Sequence, residues 1–170
     1  DLASSYDPIF KVNPPLRTES DVHALREALA DGTIDIVATD HAPHPLEAKE
    51  CEWQEAAFGM LGLETALSIV QMTMVNSGLM SWQQVAERMS HKPASIGGYE
   101  HQGQRIEKGS FANLVVINPT KLWRVDRDLV LSNSSNTPYH GHELPGVVEH
   151  TVFKGKQTLI NGQISQGGGK

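Results

Sequence analysis

Hydrophobic and polar residues change rhythm along this chain, and each rhythm predicts a different element. Val22, Leu25 and Leu29 recur at helical spacing, with Thr18 or Ser20 placed to cap the run and Gly32 to stop it. Ile34 to Thr39 follows as a nearly continuous apolar and β-branched run, the pattern of a parallel strand covered on both faces. Helix, short Asp-Gly turn and buried strand make one step of an α/β protein. After a charged loop, Leu46 to Glu55, a longer helix is predicted from about Leu61 to Asn76, with Leu63, Leu67, Val70 and Met74 as its stripe and Gly78 as its end. Ser81 and Gln84 fit a capping box for a shorter helix that carries Trp82, Val85, Ala86 and Met89 on one side. The segment His91 to Gly98 suits a helical turn begun at Pro93 and ended at Gly97.

From residue 105 the period shortens. "RIEKGSFANLVVIN" (Arg105 to Asn118) sets a Gly-containing turn before a strand at Leu114 to Ile117. Val147 to Ile164 reads as strands joined at Gly155-Lys156 and then by an Asn161-Gly162 hairpin turn. The chain thus divides into α/β units over 1–104, short antiparallel strands over 105–164, and a Gly-rich tail, 165–170, expected to be disordered.

Charge narrows the partners. The 170 residues carry a formal net charge of −6 with scattered Lys and Arg, so neither nucleic acid nor an anionic membrane is expected as a partner. No stretch approaches the ~20 apolar residues of a membrane span. The single cysteine, Cys51, rules out an internal disulfide framework and fits a reducing, cytoplasmic setting. Glu50, Glu52 and Glu55 surround it and discourage a thiolate, so it reads as a bystander. A start at Asp1 without initiator Met or secretory leader suggests a piece of something longer.

The candidate chemistry gathers in "DIVATDHAPHP", Asp35 to Pro45, where a hydrophobic run delivers Asp40, His41 and His44 to one point. In parallel α/β folds, ligands sit beyond the carboxyl ends of strands. Asp40 there can ligate a metal, act as a base, or cap the next turn. Side chains alternate along a strand, so His41 should face away from Asp40, while Pro43 and Pro45 set His44 back toward it. A zinc site made of these three alone would strain a tetrahedron. In "KVNPPLR" (Lys11 to Arg17) a Pro-Pro pair stiffens the backbone after Asn13, whose amide can donate and accept; an ordinary connector is the alternative. In "FGMLGLE" (Phe58 to Glu64), Gly59 opens the backbone just before a helix, although a plain loop would read the same way.

Together, "KVNPPLRTESDVHALREALADGTIDIVATDHAPH" and "FGMLGLETAL" resemble the bacterial class I dihydroorotases of the amidohydrolase superfamily. "RIEKGSFANLVVIN" and "SNSSNTPYHGHELPG" look like the small β-domain and return segment of the same family, with Asn113 where relatives commonly carry Asp. The resemblance implies the C-terminal part of a metal-dependent (β/α)8 amidohydrolase barrel plus strands of a small β-sandwich domain. It implies reversible closure of N-carbamoyl-L-aspartate to (S)-dihydroorotate, in pyrimidine synthesis. By position, Asp40 corresponds to the aspartate that is both zinc ligand and proton shuttle, Asn13 and His44 to substrate-binding groups, and Phe58 and Gly59 to a dipeptide contacting the substrate ring. Arg17 takes a structural role.

The family's early His-x-His motif is absent; His140 and His142, the one such spacing, sit among turn residues and read as a solvated loop. The other zinc ligands are therefore expected upstream, and these residues alone are expected to lack activity. Alternatives are another cyclic amidohydrolase of dihydropyrimidinase or allantoinase type, or a silent dihydroorotase-like subunit that scaffolds aspartate transcarbamoylase. Retention of Asp40 argues against the silent subunit. A homodimer, or association with aspartate transcarbamoylase, is expected of the full-length protein, and an unpaired sheet edge favours self-association.

Overall fold

A computed structural model describes residues 2–99 and 101–165. Turns of 3-10 helix open the described chain, at Leu2–Ser5 and at Pro8–Phe10, the second capped by the Asp7 side chain on the Ile9 N–H. Helix α1, Glu19–Asp31, begins at Thr18 in a capping box with Asp21 and ends at Gly32 in the left-handed conformation. Hydrogen bonds from the Thr18 hydroxyl and N–H hold the Asp21 carboxyl below its ordinary range. No residue of α1 is fully buried, and Leu25 of its predicted stripe is 53 % exposed.

The predicted strand at Ile34–Thr39 does not form a ladder. Val37 donates to the Arg88 carbonyl, and the first parallel pairing is a single bridge between His41 and Met60. A strand exists through its neighbours' hydrogen bonds, and here one neighbour meets it at one point. Apolar content alone therefore overstated the regularity of this segment.

Helix α2, Ala66–Val70, continues as a π-helical turn, Gln71–Val75, and Gly78 closes it. It starts later than Leu61 because the preceding backbone is engaged elsewhere. Leu61 N–H donates to the Asn136 carbonyl, and the Gly62 and Leu63 N–H groups point at His41. Leu63 is consequently exposed and leaves the stripe. Helix α3, Trp82–Ala86, has the predicted Ser81–Gln84 capping box, and runs through a π-helical turn, Glu87–His91, into α4, Lys92–Gly97. The turn expected at Pro93 is thus the end of one continuous helical stretch. Val70, Met74, Met80 and Val85 form the buried core, with Leu29, Val37, Leu67, Trp82 and Met89 packed against it.

The C-terminal part is an antiparallel meander in the order β1-β2-β3-β4. Its strands are β1, Leu114–Arg124, β2, Glu143–Phe153, β3, Lys156–Ile160, and β4, Gln163–Ile164. β1 extends well past Ile117 because irregularities in register let it bend and keep pairing with β2. Asn161-Gly162 turns the last hairpin as predicted; the preceding turn is at Lys154-Gly155, one residue earlier than expected, both of its residues having positive φ. Asn113 explains that turn: it accepts from the Lys154 N–H at 2.7 Å and donates to the His101 carbonyl at 2.7 Å, and an Asp could not make the second bond. The molecule is a mixed helix–strand fold with an antiparallel sheet, and β1 is one edge of that sheet. Among the described residues, no helix is long and apolar enough to cross a membrane. Beyond Ser165, the tail expected to be disordered lies outside the described residues.

Candidate functional site

Asp40 stands where the extended segment turns. Its φ is +45°, a left-handed conformation that Asp tolerates better than most residues, and its side chain is exposed. The next residue faces inward. His41 Nδ1 accepts the Gly62 N–H at 3.1 Å and the Leu63 N–H at 3.3 Å, so the neutral ring carries its proton on Nε2. The alternation expected of a continuing strand gives way to a left-handed corner, at which Asp40 is exposed and His41 is spent on the backbone of the next loop.

His44 returns toward that loop. Its Nε2 lies 2.9 Å from the Phe58 carbonyl, which can only accept, so that nitrogen is the donor and Nδ1 is left for other partners. Gly59 has φ of +133°, and a Cβ there would lie 2.5 Å from the Ala42 Cβ and 3.1 Å from His44 Nε2. Only glycine therefore fits between these loops. Two further backbone bonds complete the convergence: Gly59 N–H to the Lys11 carbonyl at 3.0 Å, and Ala42 N–H to the Met60 carbonyl at 3.0 Å. The segment carrying Asn13, the corner carrying Asp40 and His44, and the Phe58–Gly59 turn thus come together, with Asn13 and Phe58 exposed. The Asn13–Pro14 peptide is cis.

Two lysines support this arrangement from beneath, and no sequence signal marked them. Lys11 and Lys49 are only 7 % and 4 % exposed. Lys11 Nζ donates to the Trp53 and Gln54 carbonyls and lies 4.6 Å from the centre of the Phe58 ring. Lys49 Nζ donates to the Lys11 and Ala57 carbonyls. Burial pushes the Lys49 ammonium below its ordinary pKa, and the neighbouring Lys11 charge adds to the effect. Asn136 was also missed. Its side chain lies buried between the Asp40 and Gly59 loops, but "SNSSNTPYHGHELPG" is all turn formers and reads as surface. Within that segment His140 Nδ1 accepts the Arg127 N–H at 3.2 Å and is half exposed, which accounts for the late His-x-His spacing.

Residues 12–158 match the model of the amidohydrolase family. The chain belongs to the amidohydrolase family. This amidohydrolase chain is 59 % identical over 165 residues to a dihydroorotase of Streptomyces coelicolor, covering 97 % of this chain and 39 % of that protein. It is 50 % identical over 161 residues to a dihydroorotase of Mycobacterium tuberculosis, covering 95 % of this chain and 37 % of that one. Among solved structures it superposes on an L-hydantoinase (dihydropyrimidinase) from Arthrobacter aurescens with a TM-score of 0.88 at 32 % identity, covering 96 % of this chain and 37 % of the other. The amidohydrolase chain therefore spans less than two-fifths of the length of these relatives. The likeness to dihydroorotases first seen in "NPPLR", "TDHAPH" and "FG" is borne out along nearly the whole chain.

A metal centre is not complete within these residues. Among the described residues, no group of three or more His, Cys, Asp or Glu side chains comes together to hold an ion. His41 Nδ1 and His44 Nε2 are already committed, while the Asp40 carboxylate and the Nδ1 lone pair of His44 remain open. An exposed carboxylate such as that of Asp40 is chemically suited to ligate a divalent cation, though it does not make a site by itself.

Proposed function

We propose that this chain is part of a dihydroorotase, which interconverts N-carbamoyl-L-aspartate and (S)-dihydroorotate. The observation that carries the reading is the convergence of the Asn13, Asp40–His44 and Phe58–Gly59 segments, with Asp40's carboxylate exposed beside them. Identity of 59 % to a dihydroorotase supports it. In this reading residues 1–104 are the last βα units of a (β/α)8 barrel, and 105–164 are part of a small β-sandwich domain with its return segment. Barrel closure requires the residues of the longer relatives that this chain does not span, and these supply the flanking strands that Ile34–Thr39 lacks.

A bound divalent metal, zinc in this proposal, supplies a nucleophilic oxygen at neutral pH by acidifying water. Asp40 is one of its ligands, and residues beyond these 170 supply the others. The same carboxylate takes the proton released as the nucleophile attacks the cyclic amide carbonyl. It returns that proton to the ring nitrogen as the C–N bond breaks, so the ureido group leaves neutral and the carboxylate is regenerated. Asn13 orients the substrate's carboxylate through its amide N–H, and the Nδ1 lone pair of His44 accepts from a substrate ring N–H. Phe58 and Gly59 contact the substrate ring largely through backbone; the Gly59 N–H is spent on Lys11, and its missing Cβ lets this turn close against Ala42 and His44.

A second reading, a hydantoin-cleaving dihydropyrimidinase, is supported by the superposition on the Arthrobacter L-hydantoinase. Purified full-length protein should hydrolyse dihydroorotate and close carbamoyl aspartate, with hydantoins as poor substrates. Robust hydantoin turnover without dihydroorotate turnover would select the second reading.

A further inference from the structure

The segment between β1 and β2 lies far along the chain from the Asp40 and Gly59 loops, yet it reaches between them through one side chain. We propose that Asn136 is a positioning residue of this site, which holds His44 and the Phe58–Leu61 turn in register with one another. The inference rests on the reading of His44 and Phe58–Gly59 as substrate-binding groups. Asn136 is 2 % exposed, and its carboxamide is used on both sides. Oδ1 accepts the His44 N–H at 3.2 Å, and Nδ2 donates to the Ala42 carbonyl at 2.9 Å and the Gly59 carbonyl at 3.4 Å. Its main-chain carbonyl accepts the Leu61 N–H at 3.1 Å.

These contacts fall on both loops at once, and the loops have little else to hold them. Besides the bonds from the Gly62 and Leu63 N–H groups to His41 at the far end of the turn, their direct links are the Ala42–Met60 backbone bond and the bond from His44 Nε2 to Phe58. The second depends on where the backbone of residues 42–44 places the imidazole, and Asn136 grips that backbone from its carbonyl and N–H sides. Only a group that donates and accepts within one planar unit can do this. A carboxylate of the same shape would set negative oxygen against the Ala42 and Gly59 carbonyls, and a shorter hydroxyl would not span both loops. The segment between β1 and β2 is thereby joined to both loops through the Asn136 carboxamide, beside its main-chain bond to Leu61.

The test uses the full-length protein and the variants Asn136→Asp and Asn136→Ser. In the wild type, nitrogen NMR of labelled histidine should find the neutral His44 ring protonated on Nε2 and hydrogen-bonded there. In the variants that signature should weaken, with kcat/KM for dihydroorotate lower by roughly 10- to 100-fold. A rise in KM should carry the loss while melting temperature is kept in at least one variant. An unchanged His44 signature, or a fall in kcat with the folded fraction at constant KM, would overturn the proposal. Should neither variant fold, amide exchange in the wild type decides: a protected His44 N–H supports it and an unprotected one overturns it. Failure of the wild type to turn over dihydroorotate would remove the proposed function, while the NMR result would still judge the positioning.

Discussion

The core of α2, α3 and α4 and the loops of the site solve the same problem by opposite means. In the core, Met74 and Val85 are buried by apolar side chains of their own helices and of α1 and Val37, and most backbone hydrogen bonds run within helices closed by the Ser81 cap and Gly78. In the site, residues 40–62 form no element longer than a 3-10 turn at Leu46–Ala48, and their shape comes from side chains reaching onto distant backbone: Lys11, His41, His44, Lys49 and Asn136. The lesson is a division of labour. Burial of apolar surface stabilises a scaffold whose details tolerate change, whereas polar crosslinks hold a precise shape that each single partner can spoil.

Substitutions should therefore separate stability from activity, and the largest separation belongs to Asp40. Asp40→Ala in the full-length protein should lower kcat by about 10²- to 10⁴-fold, the range for a lost general acid–base. Because Asp40 is exposed, the melting temperature should fall only slightly, by the cost of placing Ala at a φ of +45°; a large drop would make it a structural cap instead. The converse is Met74→Ala. Met74 is 2 % exposed, so the change should cost about 2–5 kcal/mol in denaturant unfolding with kcat per folded molecule preserved. Ser81→Ala removes a cap on the Gln84 N–H and should cost only about 1 kcal/mol, again with kinetics untouched.

The smallest effect is a slope. Lys49 has a folded-state pKa below its ordinary 10.5, first through burial and then through Lys11. A base with a depressed pKa binds fewer protons folded than unfolded, so stability should rise as pH climbs from the folded-state pKa toward 10.5. Tyr139, whose buried phenol is raised above 10.0, acts oppositely, and its contribution is lost as pH passes above that value. Lys49→Met should flatten the rising limb in alkaline unfolding curves, and Tyr139→Phe the falling one. An unchanged alkaline profile in Lys49→Met would mean that the ammonium is better solvated than its carbonyl cage suggests.

Much of the scaffold was legible along the chain because its causes are local. Thr18 with Gly32, Ser81 with Gln84, and Asn161-Gly162 each form their element from residues within a few positions, and the structure shows each one. The likeness to dihydroorotases was legible for a related reason: "TDHAPH", "NPPLR" and "FG" keep their chemistry in short contiguous words. Ile34–Thr39 shows where this stops, since an apolar run specifies burial but not the neighbours that make a strand. Leu61–Thr65 stops it again, because a helical pattern lost its first turn to bonds from His41 and Asn136.

By itself, then, the sequence determined the helix caps, the hairpin turn and the family likeness, and it named the residues proposed to carry chemistry. Only the tertiary structure decided that Lys11, Lys49 and Asn136 hold those residues in place. A buried polar side chain is stable only where distant backbone groups satisfy it, and no local pattern can show which groups those will be.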